Sequence, residues 1–170
     1  MQGFIRAAAV AAAVLCAAGQ AQAQQISFTG PYLGAALGDT DLGTGIRVFG
    51  GGQFTNTFGI EGQVVSYGSK SYQNGAYTYK DSAWTAGAYG TATMPVATNL
   101  AVFGKLGAHY FRFKHNGPGG STQDGSVELG IGVGLKWQFN PAAALRVDFE
   151  NIGGSGGDLI SAGLQFPLKF

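Results

Sequence analysis

From Val127 to Phe139 every second residue is apolar: Val127, Leu129, Ile131, Val133, Leu135, Trp137 and Phe139. The positions between them hold Glu128, Gly130, Gly132, Gly134, Lys136 and Gln138. Period two sends successive side chains to opposite faces of a β-strand, whereas a helix would scatter the same residues around its circumference. Strands in soluble sheets usually run about five or six residues. A bilayer-crossing strand tilted by ~45° needs about 9–11 residues, with lipid-facing and lumen-facing positions alternating. The length and one-sided character of this segment fit the second setting.

The same periodicity, punctuated by turn residues, predicts eight strands over residues 31–38, 45–54, 58–67, 82–94, 100–113, 126–139, 143–151 and 158–169. Their connections alternate in length. Residues 55–57, 95–99 and 140–142 are short turns, whereas 68–81 and 114–125 are long loops, and 39–44 and 152–157 are modest. Short turns at one end and longer loops at the other are the layout of an outer-membrane barrel. An even strand number returns both termini to the short-turn side, and closure removes sheet edges that lipid could not satisfy. The expected fold is all-β: an eight-stranded antiparallel up-and-down transmembrane β-barrel.

Parity tests that expectation strand by strand. With Arg47 inward, Ile46, Val48 and Phe54 face out; with Glu61 inward, Phe58, Ile60 and Val64 face out. Lys105 inward leaves Leu100, Val102, Leu106 and Tyr110 toward lipid, and Arg146, Asp148 and Glu150 inward leave Leu145, Val147 and Phe149. In the last strand Ile160, Ala162, Leu164, Phe166, Leu168 and Phe170 share the outer face.

The first residues read differently. Arg6 precedes an Ala/Val/Leu run that ends in Ala21-Gln22-Ala23, the pattern of a secretory signal peptide cleaved after Ala23. One domain is therefore expected, a barrel over 24–170, preceded by a cleaved signal peptide over 1–23. A lipoprotein anchor at Cys16 is disfavoured by the bulky Leu15 before it, and with the signal removed no cysteine remains. Ten Lys/Arg and nine Asp/Glu in the whole chain become nine of each once Arg6 leaves, so there is no basic field for nucleic acid. Thirty glycines with 11% charge suggest disorder, but 12% aromatic residues argue for a packed structure.

The closing segment SAGLQFPLKF, with Gly163, Phe166, Leu168 and a terminal Phe170, resembles the C-terminal signal read by barrel assembly machinery. Together with YLGAALG (32–38), FGKLGAHYFR (103–112) and NPAAALRVDFENI (140–152), it resembles the OmpA-like eight-stranded outer-membrane barrel family. The resemblance implies a lumen filled by paired charges, with Arg146 and Asp148 matching a basic-x-acidic pattern in strand seven and Lys105 a basic position in strand five. Lys136 stands where the prototype has an acid, so its particular ion pairs do not transfer. The sequence ends at Phe170, which sets the expectation of a barrel domain without the family's peptidoglycan-binding domain.

The inward set predicted by parity is a lumen charge network of Arg47, Lys105, Lys136 and Arg146 against Glu61, Glu128, Asp148 and Glu150. Equal numbers suggest mutual neutralisation, because buried charges are costly without partners. The alternative is that these charges line a selective pore. Gly107, Gly130, Gly132 and Gly134 offer space to Tyr89, Phe103 and Phe111, consistent with a filled interior. His109 falls inward and His115 in a loop, neither with a Ser or acid partner by spacing, so no catalytic activity, metal or cofactor is expected. The GIGVG run lacks the spacing and following helix of a nucleotide site. Tyr72, Tyr77 and Tyr79 in the loop after strand three are candidates for surface contact or, alternatively, for the interfacial girdle.

These features predict an exported, monomeric outer-membrane protein with an envelope structural or adhesin-like role. Its expected partners are outer-membrane lipid and lipopolysaccharide, the barrel assembly machinery, and a host or cell-surface ligand met by the loops. The second reading is a narrow, low-conductance porin-like channel.

Overall fold

The computed structural model describes residues 30–40, 42–74, 77–117, 120–153 and 157–168. The predicted signal peptide and Phe170 lie outside the described residues. Eight strands follow in order: β1 (Gly30–Thr40), β2 (Gly43–Gln53), β3 (Phe58–Asn74), β4 (Tyr77–Ala97), β5 (Leu100–Gly117), β6 (Gly120–Asn140), β7 (Ala143–Ile152) and β8 (Gly157–Pro167). Each pairs antiparallel with its sequence neighbours, and β1 closes on β8 through Tyr32 opposite Pro167 up to Asp39 opposite Ile160. The result is a closed up-and-down barrel.

Closure satisfies the backbone of every strand within the wall, which a hydrocarbon environment demands. At the short-turn end, Thr55 Oγ1 accepts from the amides of Thr57 and Phe58 at 3.2 and 2.8 Å, and Asn140 Oδ1 accepts from Ala142 N at 2.8 Å. These side chains replace ladder partners where the chain reverses. Pro167 is the last residue of β8, where a missing ladder donor is tolerated.

Two segments read from sequence as long loops are strand. Residues 68–74 and 77–81 extend the β3–β4 pair, and 114–117 and 120–125 extend β5–β6. Their sequences are rich in Ser, Gly, Gln and Lys because both faces of these hairpins lie beyond the apolar band, so the apolar alternation disappears while pairing continues. The register also slips between Ser66 and Ser69, with Gly68 at φ +79°. An L side chain rarely adopts that conformation, and the bulge it permits breaks the parity that sequence reading follows.

The faces sort cleanly. Leu129 is 71% exposed and Ile131 58%, whereas Arg47, Glu61, Lys136, Arg146, Asp148 and Glu150 are each 1% exposed or less. A water-facing exterior would hide the first group and show the second; an outer hydrocarbon solvent accounts for both. From Leu100 to Tyr110, ten steps along β5 at a rise of ~3.3 Å and a tilt of ~40° cover about 25 Å, the height of an outer-membrane apolar band. Trp137 and Phe139 mark the short-turn rim, and Trp84 packs edge-on against Tyr110 at 6.1 Å on the opposite rim.

Candidate functional site

The side chains that converge inside the barrel come from nearly every strand. Arg146 on β7 is the hub. Its Nε donates to both oxygens of Asp148 at 3.1 and 3.0 Å, Nη2 donates to Asp148 Oδ1 at 2.8 Å and Glu61 Oε1 at 2.9 Å, and Nη1 donates to Glu61 Oε2. The planar fork thus spends its edge on two carboxylates, while its faces lie 4.4 and 4.2 Å from the ring centroids of Phe49 and Phe103. Only guanidinium can use both surfaces in this way.

Two more cations complete the cluster. Arg47 Nη2 donates to Asp148 Oδ2 at 2.8 Å and Nη1 to Ser161 Oγ at 3.1 Å. Lys105 Nζ donates to Glu150 Oε2 at 2.8 Å and Gln63 Oε1 at 3.0 Å, with Glu61 and Asp148 at 3.8 and 3.9 Å. Gln63 Nε2 bridges both oxygens of Glu150, and the Tyr32 hydroxyl donates to Glu61 at 2.8 Å. Tyr89 donates its one hydroxyl proton to Glu150, so His109 Nδ1, 3.1 Å away, must be the donor toward that oxygen. Three cations face three carboxylates, and hydrogen bonds occupy much of the remaining capacity, the condition under which buried charge is tolerated.

Of the eight charges grouped by parity, six meet here: Arg47, Glu61, Lys105, Arg146, Asp148 and Glu150. The other two stand apart. Lys136 is directly opposite Arg146 in register, yet its ammonium turns toward the short-turn end. It lies 4.8 Å from the Phe103 ring centroid and 5.4 Å from that of Tyr32, with Thr93 Oγ1 at 3.5 Å, the outer limit of hydrogen bonding. No acid comes within ion-pair distance of it among the described residues. Glu128 is a level higher than the cluster, half-exposed at the outer mouth, in register with His109 and accepting from Ser126 Oγ at 2.6 Å. The neutral core is therefore three against three rather than four against four. Parity gives a face and not a height, so it does not separate these two from the rest.

Sequence reading missed Tyr32, Gln63 and Ser161 as members. All three are inward by parity, but uncharged residues carry no signal that separates a network member from filler.

Glycines on β6 make the room. A Cβ at Gly134 would stand 2.5 Å from Phe103 Cζ, one at Gly132 2.7 Å from Lys105 Cε, and one at Gly130 2.8 Å from the Tyr89 hydroxyl. One at Gly107 would strike the Ala88 carbonyl and stand 2.7 Å from Tyr89 Cα. Gly163 faces Ala36 and Arg146 across the two ladders, and a Cβ there would be 2.5 Å from Ala36 Cβ. Phe166 and Leu168 of the same closing segment project outward.

Above the barrel, Tyr72 and Tyr79 pair across β3–β4 and stack at 5.4 Å, and Tyr79 stacks on His115 at 5.7 Å. His115 lies in β5, not in a loop, and it has an acid partner: Nδ1 is 2.5 Å from Asp81 Oδ1 across β4–β5. That partner is distant in sequence and invisible to spacing. Tyr77, Tyr79 and His115, with Gly117, Gly120, Ser121 and Thr122, line a cavity of about 430 Å³ between the two hairpins. The three tyrosines belong to this aromatic tip; the membrane rim on these strands is Trp84 and Tyr110.

Residues 8–166 match the family described as outer membrane protein beta-barrel domain. The chain belongs to that family. This barrel accordingly resides in the outer membrane. It is similar in structure to the N-terminal β-barrel domain of Pseudomonas aeruginosa OprF, with TM-score 0.65 and 12% identity over 82% of this chain and 98% of that one. Neisserial surface protein A gives TM-score 0.60 at 18% identity over 82% and 98% of the two chains. Ail, the attachment invasion locus protein of Yersinia pestis, solved with the heparin analogue sucrose octasulfate, gives 0.56 at 17% identity over 81% and 97%. At these identities the likeness is one of fold. No curated protein matches the chain.

Proposed function

We propose that this outer-membrane barrel is a closed scaffold that presents its two paired hairpins outside the cell, in an envelope structural and surface-interaction role, without catalysis. The observation that carries the reading is the Arg146 cluster. Side chains from β1, β2, β3, β4, β5, β7 and β8 meet across the lumen, bonded to one another rather than lining a passage. A conducting lumen would need charges that stay solvated. An eight-stranded barrel has an interior just wide enough for side chains to fill, and the vacated glycine positions of β6 are occupied by Tyr89, Lys105 and Phe103. The polar groups of Tyr89, His109 and Glu150 lie inside this plug, away from any lipid or surface substrate.

The contact surface is the aromatic tip around Tyr72, Tyr77, Tyr79 and His115, where tyrosine offers large contact area at small entropic cost. The signal peptide over 1–23, recognition of Gly163, Phe166, Leu168 and Phe170 by barrel assembly machinery, lipopolysaccharide contact and a monomeric state belong to the same proposal. Planar-bilayer recording of the purified protein tests it. Seals without single-channel steps are expected, and steady ohmic steps would favour the narrow-pore reading. On cells, deletion of 70–79 should leave heat-modifiable barrel mobility intact and abolish adhesion; unchanged adhesion would remove the hairpin from the role.

A further inference from the structure

Above the Trp84–Tyr110 rim, the alternation that separates lipid from lumen continues, but it sorts charge instead. Register places Lys80, Ser82, Arg112, Lys114, Asn116, Ser121 and Gln123 on the outer face of the extended hairpins, while Lys70, Asp81, His115 and Asp124 lie on the inner face. Among the described residues the outer face of this region carries three cations and no acid; both acids sit on the inner one. Nothing in hairpin pairing requires that sorting, since solvated strands tolerate either sign on either face.

The height of these cations is set by the strands. Arg112 is two residues beyond Tyr110, about 5 Å above the rim, and Lys114 about 10 Å above it. Headgroups extend roughly 5–8 Å beyond each side of the hydrocarbon. Arg112 is therefore at headgroup level; Lys114 is rooted a little beyond its outer edge and reaches back on its flexible stem, and Lys80, opposite Asn116, stands higher still. Between them, Ser82, Trp84, Arg112, Lys114 and Gln123 line a recess of about 210 Å³ that opens sideways toward the surrounding leaflet. Gln123 Oε1 accepts from Arg112 Nη2, which holds the guanidinium in place and leaves its other donors available. The recess joins cations and hydroxyl above with an indole below.

We propose that this recess binds a phosphate group of an outer-leaflet lipid, the phosphorylated glucosamine of lipid A, with Arg112 and Lys114 holding the phosphate and Trp84 packing on the adjoining acyl chains. Guanidinium suits the phosphate as a fork and ammonium as a point charge. The inference rests on the orientation proposed above, with the long hairpins outside. That orientation has its own test: a membrane-impermeant amine reagent on intact cells should label Lys70 and Lys80.

Titration of the folded protein in a neutral detergent with diphosphoryl lipid A, read by native mass spectrometry, tests the site without depending on orientation. Arg112→Gln/Lys114→Gln should weaken binding about thirtyfold, the effect of removing two cations that each act on an anionic membrane surface. Lys70→Gln, an inner-face change on the neighbouring β3–β4 hairpin, should leave it unchanged, and enzymatically dephosphorylated lipid A should bind the native protein as weakly as the double variant binds the diphosphoryl form. Binding to the native protein should also fall as salt is raised. Equal affinity of variant and native protein, retained binding of the dephosphorylated lipid, indifference to salt, or ready displacement by inorganic phosphate would each overturn the proposal.

Discussion

Arg146→Met removes the hub of the lumen while keeping its apolar stem. In the native protein Glu61 accepts two hydrogen bonds from Arg146 and Asp148 accepts three, from Nε and Nη2, all fully buried. Without the guanidinium, three carboxylates face two cations. Glu61 keeps the Tyr32 hydroxyl at 2.8 Å and Lys105 at 3.8 Å, and Asp148 keeps Arg47. Removing one member of a buried pair typically costs about 3–5 kcal/mol, because the remaining charge is stranded. Arg146→Lys keeps the charge but loses the fork and much of the stacking between Phe49 and Phe103. It should cost about 2 kcal/mol, within the range of a charge-assisted hydrogen bond. Adding Glu61→Gln to the Met variant relieves the stranded charge and should regain part of the loss. Urea unfolding in phospholipid vesicles, followed by the fluorescence of Trp84 and Trp137, measures each difference. If Arg146→Met costs under about 1 kcal/mol, or if Glu61→Gln worsens it, then the cluster is not an interdependent unit and the reasoning fails.

Three other outcomes follow from the same geometry. Gly134→Ala puts a methyl 2.5 Å from Phe103 Cζ and should destabilise by about 1–3 kcal/mol, whereas Gly104→Ala, whose Cβ would meet nothing closer than 3.9 Å, should be near neutral; vesicle unfolding compares the two. Val133→Arg on the lipid face should cost about 2–4 kcal/mol in the bilayer, and Gln73→Arg, exposed above the rim and opposite Thr78, close to nothing, by the same assay. Asp81→Asn removes the acid held by His115 Nδ1 and should loosen the hairpin tip alone, read as faster amide exchange at 114–117 with exchange in the β7–β8 ladder unchanged.

Strand number, order and facing were legible because β2, β5, β6 and β7 each carry a charge on one parity and large apolar residues on the other. The even count followed from the turns at 55–57, 95–99 and 140–142. The extent of β3 to β6 was not legible, since beyond Trp84 and Tyr110 both faces are hydrated and the alternation that marks a strand has no solvent contrast to sustain it. Gly68 compounds this, because its bulge shifts the pattern just where the hairpin leaves the membrane. Within the lumen, parity identifies the charged members of the Arg146 cluster but gives no height, so it does not distinguish Lys136 and Glu128 from them. Asp81 with His115 required a register that only the folded ladder supplies. The sorting of Lys80, Arg112 and Lys114 to one face likewise depends on strands that the sequence pattern did not reveal.

Nitroxide labels at Leu129 and Val133, compared with labels at the inward positions Thr93 and Gln165, put the opposition of an oily wall and an ionic plug to its most direct trial in reconstituted vesicles. Collisions with dissolved oxygen should dominate at the first pair, and a polar nickel reagent should relax neither pair. Fast relaxation by the nickel reagent at Leu129 and Val133 would mean that water, not hydrocarbon, covers that face, and the account would be contradicted.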